Sequence, residues 1–360
     1  MENLILEGST VVDVGSVFYN PKMKLNRDIC VAISRSLRIG DYLDALAASG
    51  VRGLRVAKEA RVERVTLNDV SRLACELIRK NVDLNQLTSC EVCCKNSNVL
   101  MHERHFDAVD LDPFGSPSPF IAAAARSATS HLFITATDTA PLCGAHKKSG
   151  VRKYMAEPVK TEYHREMGAR ILLGAAAREL ARLDKGMVPL LTHATDHYLR
   201  TYLSIQKGAK FADKSILELG YLEHCHRCGW RKTHKGIFSR GATICLRCGE
   251  ATDLAGPLWL GPIHDSGLVE SAIEKLVKMV DEDDRALKVL QMCRDEIVTP
   301  MYYDHHRICK RLRITPGRIE EVIEALRNAG FQASRTHFSG VGIKTDASIE
   351  ALEGVLHSNV

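Results

Sequence analysis

Short apolar runs that close in turn residues alternate with stretches of helical period along the first two thirds of the chain. The runs at 41–44, 65–67, 106–111, 131–136, 187–192 and 198–206 read as strands, and 51–60, 71–81, 117–127 and 160–183 as helices. This alternation predicts a mostly parallel sheet flanked by helices, with ligands gathered at the carboxyl ends of the strands. Near Gly208 the pattern changes. A segment rich in Cys, His and Arg (224–248) precedes Gly256-Pro257 and Gly261-Pro262, which read as a linker, and a helical pattern from 268 to 296. The tail reads as a helix after Pro316, short strands at 331–335 and 341–344, and a last helix at 348–356. The expected organisation is an α/β unit over 1–215 and an α+β unit over 216–360.

Composition narrows the class. At 360 residues, 45% hydrophobic and 26% charged, the chain is long enough for two cores. It holds no run of about 18 apolar residues. Met1-Glu2-Asn3-Leu4 lacks the layout of a secretion signal, so a soluble cytoplasmic protein is expected. With 49 basic residues against 44 acidic ones the net charge is +5, which permits a polyanionic partner without demanding one. Twelve cysteines are too sparse for a disulfide scaffold; clustered ones read as metal ligands.

Three places carry candidate chemistry. From Asp44 to Gly53 a strand joins a helix through small residues, so backbone can approach a ligand and the helix start offers free N–H donors. Asp69 closes the next strand 25 residues later, a spacing suited to ribose hydroxyls. The glycines do not form GxGxxG, which disfavours NAD. At the end of the fourth strand, Asp110-Leu111-Asp112-Pro113-Phe114-Gly115 resembles the Asp/Asn-Pro-Pro-Tyr/Phe motif of S-adenosylmethionine-dependent methyltransferases that act on planar nitrogens. A ring-conjugated amino group is a poor nucleophile because its lone pair is delocalised. A carboxylate and a backbone carbonyl that accept its N–H bonds hold that pair toward the methyl donor. Pro113 fixes the turn and has no competing N–H, and Phe114 offers a face to an extruded base. Cys143 has no evident base partner and reads as packing, which weighs against a covalent route through a pyrimidine carbon.

Cys225-x-x-Cys228 and Cys245-x-x-Cys248, 16 residues apart, match a structural zinc ribbon over about 222–252 whose four thiolates leave no open position. Cys90-x-x-Cys93-Cys94 lacks a mate and reads as buried strand cysteines, and His193 with His197 as a structural pair. Between His224 and Cys248, Arg227, Arg231, Lys232, Lys235, Arg240 and Arg247 occur without an acid, interleaved with Trp230 and Phe238. Arg307, Lys310, Arg311, Arg313 and Arg318 form a second run beside Tyr302 and Tyr303. Two such runs fit a phosphate backbone.

Taken together, Val17-Phe18-Tyr19-Asn20-Pro21, Asn26-Arg27-Asp28, the stretches 44–55, 67–69, 110–117, 135–144, 195–200 and 256–261, the two knuckles and Ser334-Arg335-Thr336-His337 make the chain similar, over nearly its whole length, to the archaeal form of the tRNA guanosine-26 N2-dimethyltransferase family. The resemblance implies a class I methyltransferase fold with a C-terminal tRNA-binding unit. It implies transfer of one methyl, then a second, from S-adenosylmethionine to N2 of a guanosine between the D-stem and anticodon stem of tRNA. Asp112 then matches the catalytic carboxylate, with Pro113 and Phe114 beside it. Arg27 and Arg52 match the donor's methionine end, Asp44 lies in the donor loop, and Asp69 matches the ribose acid. Asn96-Ser97 stand where the family often has Asp-Ala beside the adenine. Phe18 or Tyr19 faces Phe114 across the guanine. A monomer is expected. Two rival readings remain: an amino-group methyltransferase acting on DNA adenine or protein glutamine, and an inactive RNA-binding module on a degenerate fold.

Overall fold

The computed structural model describes residues 4–238, 243–281 and 284–358. Its central sheet has seven strands: β1 (Asp41–Asp44), β2 (Arg64–Asn68), β3 (Cys90–Cys93), β4 (Phe106–Leu111), β5 (Ala128–Ala136), β6 (Lys185–Thr195) and β7 (Tyr198–Lys207). Their order is β3-β2-β1-β4-β5-β7-β6. Strands β1 to β5 pair in parallel, and β7 lies antiparallel between β5 and β6. The chain winds outward from β1 in one direction and from β4 in the other, so a crevice opens where their carboxyl ends part. The α/β fold class expected from the sequence is the one observed.

Helices cover both faces, which is why the strands read as apolar runs rather than as alternation. On one face, Ile29, Cys30 and Ile33 of helix Lys24–Ser36 share a core with Tyr42, Phe133 and Tyr202. On the other lies His164–Ala181, apolar around most of its circumference and buried along most of its length. Among the described residues no helix is long and apolar enough to cross a membrane.

The second half departs from expectation. Residues 256–262 are not a linker: Asp253–Trp259 is a strand paired with Leu219–His224, which also pairs with Arg231–Lys235. The helical pattern after 268 breaks into Ser266–Leu276 and Arg285–Asp295. Both pack on Lys24–Ser36, where Val269, Ala272, Leu287 and Leu290 complete the first core. A boundary at 215 therefore does not coincide with a break in packing. Besides the small cluster of the four cysteines, a separate core begins at Tyr303, around Ile308, Val322, Leu326, Ile343 and Leu352. An amphipathic period shows that a face is covered, not which partner covers it. The hairpin Leu4–Glu7/Thr10–Asp13 and helix His305–Leu312 were also not anticipated.

Candidate active site

The register of β1 and β4 sets Asp44 and Asp110 side by side, both buried. Arg200 of β7 grips the two Asp110 oxygens at 2.7 and 2.6 Å, and the Tyr42 hydroxyl donates to one of them at 2.6 Å. Burial alone would raise this carboxyl, but the Arg200 and Arg52 guanidiniums hold it down to about 2. Asp44 lacks such a partner. It accepts the Gly53 N–H at 3.0 Å, while burial, reinforced by the Asp110 charge, pushes it up to about 7. A Cβ at Gly53 would stand 2.9 Å from Leu67 and 3.2 Å from Asp44, so the turn closes only on glycine.

Asp112 emerges from β4 half-buried and paired with the buried Arg52. The other arm of Arg52 donates to Asn26 Oδ1 at 2.9 Å, and Asn26 Nδ2 is a buried donor with no partner. Pro113 is buried. Phe114 is 93% exposed and Phe18 59%, and their ring centres lie 5.8 Å apart, edge to face. Two large aromatics standing together in solvent form an apolar lip beside the carboxylate. Gly115, at φ 101°, donates its N–H to Thr137 Oγ1 at 2.7 Å and accepts the Thr137 N–H at 3.0 Å, which ties this loop to the end of β5.

The other expected positions lie along the same edge, with their side chains occupied in particular ways. Asp69 accepts the Ala48 and Ser71 N–H groups, each at 2.9 Å, and so holds the two flanking loops. Asn96 Oδ1 caps helix Ser97–Glu103 through the Asn98 and Val99 N–H groups. Ser97 Oγ donates inward to the Ala45 carbonyl at 2.6 Å. The protein itself thus engages both side-chain oxygens that were aimed at adenine. Arg27 commits its Nε and Nη2 to Glu7 at 2.6 and 2.5 Å, within a buried network that includes Arg55 and Asp28. Burial would raise Glu7, but Arg27 and Arg55 bring it to about 2.

Sequence reading overlooked two residues. Asn68 Nδ2 donates to the Ala45 and Lys95 carbonyls, both at 3.1 Å, and its Oδ1 accepts the Lys95 N–H, so one amide joins the ends of three strands. A buried strand-ending amide beside Asp69 was the available signal. Arg200 gave none, because it meets Asp110 from 90 residues away.

In the ribbon, the Cys225 and Cys248 sulfurs lie 3.5 Å apart and those of Cys228 and Cys245 3.6 Å. All four fall within 4.8 Å of one another. A zinc tetrahedron with metal–sulfur arms of about 2.3 Å has edges of about 3.8 Å, so the set fits that metal. Nearby histidines are occupied elsewhere: His224 with Tyr163, His226 with Asp253, His234 with Glu223. His193 is buried and His197 exposed, so they do not converge. Cys143 packs against Gly168.

The basic runs are partly neutralised. Arg227 pairs with Glu250, Arg247 and Arg311 with Glu353, Arg307 with Glu162, and Lys235 with Glu218. Arg231 lies 3.6 Å over the Tyr303 ring and donates to the Tyr302 carbonyl. Arg240 is outside the described residues. Of the two runs, Lys232, Lys310, Arg313 and Arg318 are exposed and in no ion pair among the described residues. The compensating acids come mostly from distant segments, which a local run of charge does not reveal.

The family model described as N2,N2-dimethylguanosine tRNA methyltransferase matches residues 2–357. A tRNA (guanine(26)-N(2))-dimethyltransferase of Methanosarcina mazei is 47% identical over 379 aligned residues, covering 98% of this chain and 97% of the relative. One of Methanospirillum hungatei is 46% identical over 343, covering 95% and 92%. A solved structure, Trm1 from Pyrococcus horikoshii in complex with S-adenosyl-L-methionine, superposes with a TM-score of 0.91 at 38% identity and covers 98% of this chain and 99% of that one.

Proposed function

The chain belongs to the N2,N2-dimethylguanosine tRNA methyltransferase family, and from that premise we propose that it methylates N2 of guanosine 26 in tRNA, once and then again. The donor is S-adenosylmethionine, which supplies an electrophilic methyl on a sulfonium. The crevice fits it on one observation: the unpartnered Asn26 Nδ2 beside Arg52 is a donor pair suited to the methionine carboxylate. Asp69 would take the ribose and Asp44 would line the donor loop. Arg27 would brace this end through Glu7, and Asn96 and Ser97 would shape the adenine side through the loop they hold.

The observation that carries the reading is Asp112, set at the sheet edge between Arg52 and the exposed Phe18–Phe114 pair. Asp112 and the Pro113 carbonyl accept the two N–H bonds of the guanine amine and balance its developing charge. Transfer is direct displacement, without a covalent enzyme intermediate. A base gripped on both faces needs about 7 Å between ring planes at contact distances of about 3.5 Å. Phe18 and Phe114, now edge to face at 5.8 Å, therefore part to admit guanine. Four thiolates would hold a structural zinc in the ribbon, with Lys232, Lys310 and Arg313 nearest in character to phosphate contacts.

The test is nucleoside mass spectrometry of an unmodified tRNA transcript incubated with enzyme and donor. N2-methyl- and N2,N2-dimethylguanosine should appear at position 26, and Asp112→Ala should lower the rate about a hundredfold or more. Equal rates in variant and wild type remove Asp112 from the role. A product on adenine or on protein removes the substrate.

A further inference from the structure

Where the second half of the chain folds back, three side chains from separate segments meet. His264 precedes helix Ser266–Leu276, Cys293 lies in helix Arg285–Asp295, and His337 sits in the turn between strands Ala333–Thr336 and Ser339–Thr345. One ligating atom of each lies within 4.8 Å of the other two. A core packed for its own sake would satisfy these groups. Instead Nε2 of His264 and Nε2 of His337 are buried without a hydrogen-bond partner. Each such nitrogen left unpaired costs about 1–3 kcal/mol. His264 Nδ1 receives only a 3.5 Å contact from the Thr192 N–H.

The surroundings are those of a ligand sphere. His337 Nδ1 is 2.6 Å from Glu296 Oε2; donation there places the ring proton on Nδ1 and leaves a bare lone pair on Nε2. A carboxylate that orients a histidine in this way is the usual outer partner of a metal-bound imidazole. Glu296 is itself held by Lys344 at 2.7 Å and by the Thr336 hydroxyl at 3.2 Å. The carboxylate is therefore charge-balanced and stays in its supporting role.

We infer that His264, Cys293 and His337 form a second metal site, distinct from the ribbon, taking Zn2+ through two imidazole nitrogens and one thiolate. Nitrogen and sulfur donors exclude the oxygen-seeking Mg2+ and Ca2+. Bound zinc, with arms of about 2.0–2.3 Å, needs its donors about 3.3–3.8 Å apart, so loading draws them together by about 1.5 Å at most. Three protein ligands leave a fourth position. His193 of β6, whose Nε2 is also buried and unpartnered, feels the charges of both histidines but lies outside the group of three, so it would have to approach to fill that position. The metal would staple the segment after the ribbon sheet, a helix of the first core and the C-terminal hairpin, three pieces joined by no disulfide among the described residues.

The test uses the full chain, reloaded with Zn2+, desalted and assayed for metal by plasma mass spectrometry. Wild type should hold two equivalents, and Cys293→Ala and His337→Ala one each. Cys225→Ser/Cys228→Ser should lose the other equivalent, so the two sites fail separately. A single equivalent in wild type that survives in Cys293→Ala overturns the inference, as do two equivalents in both. A single equivalent lost in Cys293→Ala upholds this site and removes the metal from the ribbon instead. Should the variants not fold, Co2+ titration of wild type decides. A second equivalent with weaker thiolate charge-transfer absorption than the first supports the site, and saturation at one all-thiolate equivalent refutes it.

Discussion

Replacing Arg200 with methionine would strand a charge directly beneath the active site. Asp110 is fully buried, and its carboxyl sits near 2 against an ordinary 3.8. That depression corresponds to about 2–3 kcal/mol of stability at neutral pH. Because the folded value lies below the unfolded one, the contribution is complete above about pH 4 and disappears as pH falls through about 2. Arg200→Met forfeits more than this. It leaves the carboxylate with the Tyr42 hydroxyl, the Cys30 thiol at 3.5 Å and Arg52 Nε at 3.9 Å, in place of two bonds at 2.7 and 2.6 Å. An uncompensated buried charge costs about 3–5 kcal/mol. Urea unfolding at pH 7 should show a loss of that size. The deficit should shrink toward pH 5, as the orphaned Asp110 takes up a proton. Asp110→Asn/Arg200→Met, which leaves no bare charge, should recover part of the loss. A single variant within about 1 kcal/mol of wild type at pH 7, or a deficit indifferent to pH, would refute the assignment of this pair as the electrostatic base of β4.

Three further outcomes follow from the same geometry. Burial raises Asp44 to about 7, so the folded chain holds its proton more tightly than the unfolded one; this group's contribution to stability falls by up to about 4 kcal/mol as pH rises from about 4 to 7. Asp44→Asn should flatten that slope in urea titrations, and an unchanged slope would place the titration elsewhere. Lys310→Glu/Arg313→Glu should raise KM for tRNA about tenfold at low salt and leave donor affinity by calorimetry unchanged; an unaltered KM clears these two of phosphate contact. Arg311, bound to Glu353, is the poorer target, since changing it breaks a knot that also holds Arg247. Stripping metal from the ribbon with a chelator, or Cys228→Ser, should weaken tRNA binding by anisotropy while donor binding persists, and equal loss of both would contradict the separation of roles.

Much of the catalytic half was legible because its information is local. A parallel strand covered on both faces is a short apolar run, and its carboxyl end is marked by the residue that stops it, so Asp44, Asp69 and Asp112 could be read in order before any packing was known. The cysteine cluster was legible for the same reason, its four thiols coming in two close pairs. Helix Lys24–Ser36 has covered positions on both of its sides, against the sheet and against Ser266–Leu276, which blurred its period. The hairpin at the N-terminus is too short for alternation to stand out, yet it delivers Glu7 to Arg27 and Arg55.

What stayed hidden was pairing across long stretches of chain, and this matters most for how the site works. The family resemblance assigns Arg52 to the donor and Asp112 to the acceptor as separate parts. The fold makes them one ion pair whose second guanidinium arm rests on Asn26. On the roles proposed above, a carboxylate arriving at Arg52 and Asn26 would compete with Asp112 for the same cation, and so would leave Asp112 more negative toward the amine. Those roles would couple donor binding and acceptor activation through one buried side chain. On this argument Arg52→Lys, a point charge without a fork, keeps the positive charge but cannot hold Asn26 and Asp112 in the same geometry. It should weaken donor affinity and, at saturating donor, still lower kcat. Loss of affinity alone, with kcat restored at saturation, would show that the two carboxylates are served independently.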